Sequence, residues 1–380
     1  MKLDEEPGLQ DRGRAWVEID LGAVAGNIAE LRSRLPQGCE LMAVVKADAY
    51  GHGAEMVASR AWREGVRAFA VATVDEGVSL RESGLGGEIL VLGYTLPADA
   101  KRLSGHGLSQ LVVDGAHAKA LSEAGHRINV HIAIDSGMHR LGMQPSDFGE
   151  IEGVYAQKNL TVQGVATHFA SSDSLDSGNV EFTNLQMGRF MAVVDKLRGK
   201  GYDVGKIHTQ ASYGIYNYPE MGCGYARAGI ALYGVMSHDA ATKVRPALKP
   251  VLSMRARIAQ VRWIGAGESV SYDRTYKADR PMRLATVSIG YADGVPRQMS
   301  GNGGACIVRG HRAPIVGRIC MDMLMVDATG AGSVEAGDVA TLIGRDGGEE
   351  IRCEDVAAAS GTITNDILCR MGKRLPRVYI

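Results

Sequence analysis

The run A-V-V-K-A-D-A-Y-G-H-G, Ala43 to Gly53, is a short apolar strand that ends on Lys46 and passes at once into Asp48, Tyr50 and two glycines. A strand that delivers a lysine to its carboxyl end, inside a barrel or sheet, places an amine where ligands bind. Desolvation there lowers the amine's pKa and makes it a nucleophile toward an aldehyde. Working outward, the runs Leu41–Val45, Phe69–Ala72, Ile89–Leu92, Gln110–Val113, Asn129–Ile134, Val162–Thr167, Ile207–Thr209 and Tyr225–Ile230 read as strands. Helical stretches separate them, among them Leu21–Leu35, with apolar residues at Leu21, Val24, Ile28 and Leu31, and Val180–Leu197. Strands alternating with helices predict a (β/α)8 TIM-like barrel over residues 14–238, with a doubly wound sheet as the competing arrangement.

After Gly234 the pattern changes. Alternating runs at Leu252–Val261, Leu284–Ile289, Ala305–Val308, Met323–Val326 and Asp338–Ile343, separated by Gly- and Pro-containing turns, predict a mostly-β domain over 239–380. The linker falls near Ser237–Pro250. The opening 1–13 is polar and turn-rich, and reads as a leader or linker.

Composition narrows the function. With 42 Lys and Arg against 43 Asp and Glu, the net charge of −1 gives no electrostatic footprint for nucleic acid or an anionic membrane. The six cysteines contain no C-x-x-C pair, so neither a zinc knuckle nor a thioredoxin-like motif is indicated, no metal is expected, and a reduced, cytoplasmic setting fits best. No apolar run reaches spanning length, and no signal-peptide core opens the chain.

Six further strings follow the lysine run: D-S-G-M-H-R-L-G (Asp135 to Gly142), T-H-F-A (Thr167 to Ala170), R-A-G-I-A-L-Y-G (Arg227 to Gly234), V-S-Y-D-R-T-Y (Val270 to Tyr276), I-G-Y-A-D-G (Ile289 to Gly294) and I-C-M-D (Ile319 to Asp322). In this order, and across nearly the whole chain, they resemble the alanine racemase family. The resemblance implies a pyridoxal 5'-phosphate (PLP) enzyme whose cofactor is held covalently by Lys46. Removing an unactivated α-proton and returning it to the other face needs an electron sink, which PLP supplies, and a base on each face. The resemblance assigns those bases to Lys46 and Tyr272. Tyrosine ionises near pH 10 when unperturbed, so such a base needs nearby positive charge. His168 and Arg227 match the residues that run from that tyrosine toward the cofactor ring. Arg227 would face the pyridine nitrogen and, keeping its own proton, leave the ring a weaker sink.

The phosphate contacts implied by the family are the backbone N–H groups of Gly229 and Ile230 and the hydroxyls of Tyr50 and Ser212. Tyr291 resembles an entryway residue, Met321 and Asp322 the pair at the substrate carboxylate, and Arg140 the arginine that binds carboxylate. Because the family brings Tyr272, Met321 and Asp322 from the other subunit, the resemblance also implies a two-fold homodimer with shared sites, the commonest symmetric assembly.

Two positions depart from the common family pattern. Ala133 stands where many members carry a carbamylated lysine that orients the arginine, with no replacement evident in the sequence. Asn365, in G-T-I-T-N-D-I-L-C-R-M-G-K-R-L-P-R, stands where a tyrosine crowds the substrate pocket beside the cofactor phosphate. Asparagine is smaller and both donates and accepts hydrogen bonds, which suits a hydroxymethyl side chain. At this position the chain is similar to the vancomycin-resistance serine/alanine racemases, which supply D-amino acids for cell-wall precursors and carry a membrane domain ahead of the racemase part. The expectation is a racemase of serine and alanine, with the chain a cytoplasmic part of a longer membrane protein. The competing readings are an alanine racemase with little serine activity, a decarboxylase of the same plan, and a non-catalytic PLP-binding homeostasis protein.

Overall fold

The structure, a computed structural model, describes residues 12–222 and 224–380; the expected leader at 1–13, apart from Arg12 and Gly13, and Cys223 lie outside the described residues. The chain enters on β1 (Ala15–Ile19) and the helix Leu21–Ser33, whose N-terminus is capped by Asp20 accepting from Ala23 N at 2.8 Å. Eight strands then close a barrel: β2 (Glu40–Val44), β3 (Ala68–Val71), β4 (Glu88–Val91), β5 (Ser109–Val112), β6 (Ile128–Ala133), β7 (Leu160–Ala166), β8 (Lys206–His208) and β9 (Tyr225–Ala228). Every neighbouring pair is parallel and β9 closes on β2, with Met42 opposite Arg227. The strands read as near-continuous apolar runs because both faces are covered. β9 stops two residues short of the expected Ile230, where a 3₁₀ turn, Ile230–Tyr233, begins.

The second domain is built on β10 (Leu252–Ile264), followed by the short pair β11 (Ser269–Val270) and β12 (Tyr276–Lys277), then β13 (Met282–Val287), β14 (Ala305–Val308), β15 (His311–Pro314), β16 (Leu324–Asp327), β17 (Val339–Asp346), β18 (Glu349–Ile351) and β19 (Arg377–Tyr379). The main sheet runs β15-β14-β17-β10-β1-β19, with β13 and β16 branching from β10 and β18 from β17. β10 serves three partners because its register breaks: it changes neighbours around the irregularity between Ile258 and Gln260. No helix among the described residues is long and apolar enough to cross a membrane.

One boundary differs from the sequence expectation. β1 falls inside the segment 14–238 assigned to the barrel, yet it pairs antiparallel with β10 and parallel with β19 in the second sheet. Trp16, Val17 and Ile19 are fully buried there. Backbone pairing on both edges outweighs proximity in sequence. From Ala15 the chain therefore runs in the β domain, leaves to make the barrel and returns.

The return is fastened by Asn27, buried on the first helix. Its Nδ2 donates to Leu232 O at 3.2 Å and Lys249 O at 2.9 Å, and its Oδ1 accepts from Lys249 N at 2.8 Å. Replacing it with leucine keeps the volume and strands three backbone groups away from water, at a cost on the order of 2–3 kcal/mol. Asn27→Leu is expected to lower the urea midpoint with an unchanged slope; a midpoint equal to that of the parent would show that the three bonds add nothing.

Candidate active site

Lys46 leaves the barrel one residue beyond Val45, whose N–H still pairs with Ala70 O at 2.9 Å. The next four residues, Ala47 to Tyr50, all lie at φ of 52 to 54°, a left-handed turn made without glycine. Each such residue costs about 1–3 kcal/mol, so the turn survives only because its surroundings hold it. Glu76 accepts from Ala47 N at 2.7 Å, Asp48 accepts from Ala54 N at 2.8 Å, and Tyr233 donates its hydroxyl to Val44 O at 2.9 Å while its ring packs 5.0 Å from that of Tyr50. The turn aims Lys46 and Tyr50 at one cavity. Burial, and then the charge of Arg140, push the Lys46 amine below the ordinary lysine range.

Opposite, at the end of β9, Ser212 Oγ accepts from Gly229 N and Ala231 N, both at 3.2 Å, so two N–H groups converge on one point. A Cβ on Gly229 would stand 2.8 Å from Tyr50 Oη and fill that cradle. Arg227, on β9, points inward and is buried. It donates to Thr167 O at 2.8 Å, His208 O at 2.9 Å and Thr209 O at 3.0 Å, and to the Nδ1 atoms of His208 at 2.7 Å and His168 at 3.2 Å. Burial and Arg140 bring its pKa to about 10, so it stays charged at neutral pH. Burial and the charges of Arg227, Arg140 and Lys46 hold the His168 imidazolium down to about 3. His168 is therefore neutral and, accepting at Nδ1, carries its proton on Nε2.

Arg140 sits on a loop that Asp135 ties shut. The Asp135 carboxylate accepts from Gly137 N at 3.1 Å, His139 N and His139 Nδ1 at 2.9 Å, and Gln144 Nε2 at 3.0 Å, while the 135 and 143 backbones pair. Ala133, at the end of β6, lines the cavity below. The loop's own hydrogen bonds thus fix the backbone that carries Arg140, whose side chain is exposed at the cavity.

The cavity, of about 490 Å³, gathers Lys46, Tyr50, Arg140, His168, Ser212, Arg227, Gly229, Ile230 and Asn365. Asn365 comes from the C-terminal helix Thr364–Cys369, anchored by Thr364 N to Ser237 O at 3.1 Å and Thr364 Oγ1 to Met236 O at 2.7 Å. Its Oδ1 is buried and has no hydrogen-bond partner in the chain. His208 and Asp135 also line this cavity and were not singled out from the sequence; a histidine closing the strand Ile207–Thr209 was the one available signal.

Tyr272, Tyr291, Met321 and Asp322 do not join the cavity of their own chain. Tyr272 is 65% exposed, Met321 52% and Tyr291 42%. They share one face of the β domain. Ser271 Oγ donates to Arg318 O at 2.6 Å, and Tyr291 N and Ala292 N donate to Cys320 O and Met321 O at 3.1 and 3.0 Å. Asp322 is paired with Arg374 at 2.7 Å. Tyr272 is displayed on a second strained loop, with Ser271, Asp273 and Arg274 at φ of 68, 58 and 50°.

A half-buried amine of lowered pKa, a backbone cradle opposite it and a buried guanidinium fit an aldehyde-bearing aromatic phosphate, as PLP is. Residues 19–237 match the family described as alanine racemase, N-terminal domain, and residues 251–379 the alanine racemase, C-terminal domain. An amino-acid racemase of Enterococcus faecalis is 42% identical over 366 residues, covering 96% of this chain; the chain spans 51% of that relative's length. An alanine racemase of Geobacter sp. (strain M21) is 39% identical over 373 residues, covering 96% of this chain and 98% of its own. The alanine racemase of Clostridium difficile 630 superposes with a TM-score of 0.90 at 33% identity, covering 97% of this chain and 96% of that one. That of Bartonella henselae, described with covalently bound pyridoxal phosphate, does so at 0.85 and 30%, covering 97% and 100%. The chain belongs to the alanine racemase family and is a PLP-dependent amino-acid racemase.

Proposed function

We propose that this racemase interconverts the enantiomers of serine as well as those of alanine, with Lys46 and Tyr272 as the two bases in a homodimer. The observation that carries serine is the Asn365 amide, whose Oδ1 is buried in the cavity without a partner. A buried acceptor left unpaired costs about 1–3 kcal/mol, and a serine hydroxyl relieves it where an alanine methyl cannot. The broader name of the Enterococcus faecalis relative is in keeping with this reading.

When bound, PLP draws the electron pair of the broken Cα–H bond into its ring. The rest belongs to the chain. Lys46, whose amine burial and Arg140 hold below the ordinary lysine range, accepts or returns the α-proton on one face. Gly229, Ile230, Tyr50 and Ser212 would hold the phosphate, and Arg140 would attract the substrate carboxylate. Arg227, which keeps its proton, would donate to the cofactor ring without transferring it. Tyr272 serves the second face from the partner, which accounts for its exposure and its distance from its own cavity's lining. Tyr291 guards the entry. The carboxylate of Asp322 would repel that of a substrate, so recognition by Met321 and Asp322 runs through backbone N–H groups. An exposed patch bearing Tyr272, Tyr291, Met321 and Met323 suits a symmetric interface. A reducing cytoplasm and a supply of D-amino acids to wall precursors complete the reading; Cys306, Cys320, Cys353 and Cys369 are free thiols.

Purified protein is expected to be yellow, and Lys46→Ala to lose both the covalent cofactor and activity; a borohydride-reducible PLP–lysine adduct in that variant would move the attachment elsewhere. Tyr272→Phe should suppress α-proton exchange from L-substrate far more than from D-substrate, and mixing inactive Lys46→Ala and Tyr272→Phe proteins should restore partial activity. Equal loss from both enantiomers, or no recovery on mixing, would refute the shared two-base site.

Asn365→Tyr should lower the serine-to-alanine ratio of kcat/KM about ten- to a hundred-fold, the rate equivalent of crowding or unpairing one hydroxyl. Unchanged relative rates would return the enzyme to alanine with little serine activity.

A further inference from the structure

Below the cavity, the barrel interior holds a row of titratable groups that the reaction described above does not use. His208, at the end of β8, and His131, on β6, are fully buried, and their rings are joined by a contact of 2.9 Å between His208 Nε2 and His131 Nδ1. His131 Nε2 lies 2.6 Å from Glu88 Oε1, and Tyr225 donates its hydroxyl to Glu88 Oε2 at 2.7 Å. Glu88 is the first residue of β4, at the amino-terminal mouth of the barrel, with 19% of its side chain exposed. At the other end stands Arg227, 2.7 Å from His208 Nδ1. Among the described residues no carboxylate pairs with Arg227 directly.

The chemistry of the donors orders every proton in this row. Guanidinium only donates, so His208 Nδ1 accepts. Neutral His208 then carries its proton on Nε2 and donates to His131 Nδ1, and His131 in turn donates from Nε2 to the Glu88 carboxylate. Burial, with Arg227 and His131 nearby, holds His208 well below the usual histidine range, in keeping with a neutral ring. Burial alone would raise the Glu88 carboxyl, but hydrogen bonds from His131, Tyr225 and Ser109 bring it below the ordinary range, so the far end is an anion. The local backbone is fitted to the row. β6 and β7 slip register between Val130 and His131, setting His131 opposite Gly164, where a Cβ would stand 2.3 Å from His131 Nδ1.

We infer that Glu88, His131 and His208 form a proton-ordered relay through the barrel, by which a carboxylate at one mouth balances and orients the Arg227 guanidinium at the other. They are positioning residues. They act through Arg227, by fixing which hydrogens it offers and by polarising two imidazoles toward it. The effect on turnover rests on the racemase reading, whereas the proton order does not.

The test uses the holoenzyme labelled with ¹⁵N-histidine. In the parent protein, His208 and His131 should each show one protonated and one bare ring nitrogen, with Nε2 as the protonated one in both. Glu88→Gln keeps shape and removes charge. It should shift the ring signals of both histidines and lower kcat about tenfold in both directions with KM little changed, the loss of one charge-assisted bond. Glu88→Asp, which retains the charge, should recover part of that loss. A His208 ring protonated on Nδ1, or a folded Glu88→Gln protein with unmoved ring signals and parental kcat, would overturn the relay. The ring signals need no turnover, so a failed relay and a failed substrate assignment read differently, and the parent spectrum decides even where the variant does not fold.

Discussion

The guanidinium of Arg227 is a charge placed where the barrel is weakest. β8 has three residues and shares a single register pair, His208 with Tyr225, with β9. One backbone bond, Arg227 N to Gln210 O at 3.2 Å, extends the ladder toward the mouth. The Arg227 side chain reinforces it, donating to carbonyls of residues 167, 208 and 209 and so binding the ends of β7, β8 and β9 together. Burying a charge costs several kcal/mol unless it is fully hydrogen-bonded, and here each contact is also structural. A neutral replacement would leave the carbonyls of Thr167 and Thr209 unpaired at the place where the cavity opens, and His208 O with only the N–H of Thr167. The same contacts fix His168 and His208 as acceptors at Nδ1, so the barrel's closure and the proton arrangement of the cavity are one feature.

Strain is concentrated in two loops. Four residues after Lys46 and three around Tyr272 hold positive φ without being glycine, whereas single such residues occur only at His139 and Arg309 elsewhere among the described residues. At about 1–3 kcal/mol per residue, these are the costliest backbone conformations in the chain, and they follow or surround the two groups proposed as bases. The first is held by Glu76 and Asp48, and the second leans on Gly317, where a Cβ would meet Ser271 Cβ at 2.7 Å. Racemisation asks for two bases that do not exchange places. Stiff, over-determined turns provide that better than relaxed loops.

Much of this was legible in the sequence, for identifiable reasons. Barrel strands buried on both faces stand out as apolar runs, and all eight lie within a few residues of their expected places. The strings around Lys46, Arg140, His168 and Arg227 are local, and the fold brings those four residues to one cavity. What local reading cannot supply is pairing between distant segments. A-W-V-E-I gives no sign that Ala15–Ile19 joins a sheet more than two hundred residues away, and the short strands His311–Pro314, Glu349–Ile351 and Arg377–Tyr379 carry too few residues to show a period. Asp135 escaped notice because its work is done on its own loop's N–H groups. Glu88, His131 and His208 escaped because each looks like an ordinary strand residue until the barrel brings β4, β6 and β8 side by side around one axis.

The cavity is also a field. Lys46, Arg140 and Arg227 line it together, and the nearby Asp135 is already engaged by its own loop. Positive charge in a low-dielectric pocket attracts phosphate and carboxylate, and it simultaneously disfavours protonation of the one cation that can shed its proton. Arginine cannot do so at neutral pH, so the field acts on the three differently: the two guanidiniums remain charged anchors, and the pKa of the Lys46 amine is lowered. Ala133 adds no charge to this field. An anion at that position would weaken it, whereas the carboxylate of Asp135, which also lines the cavity, is engaged by the donors of its own loop.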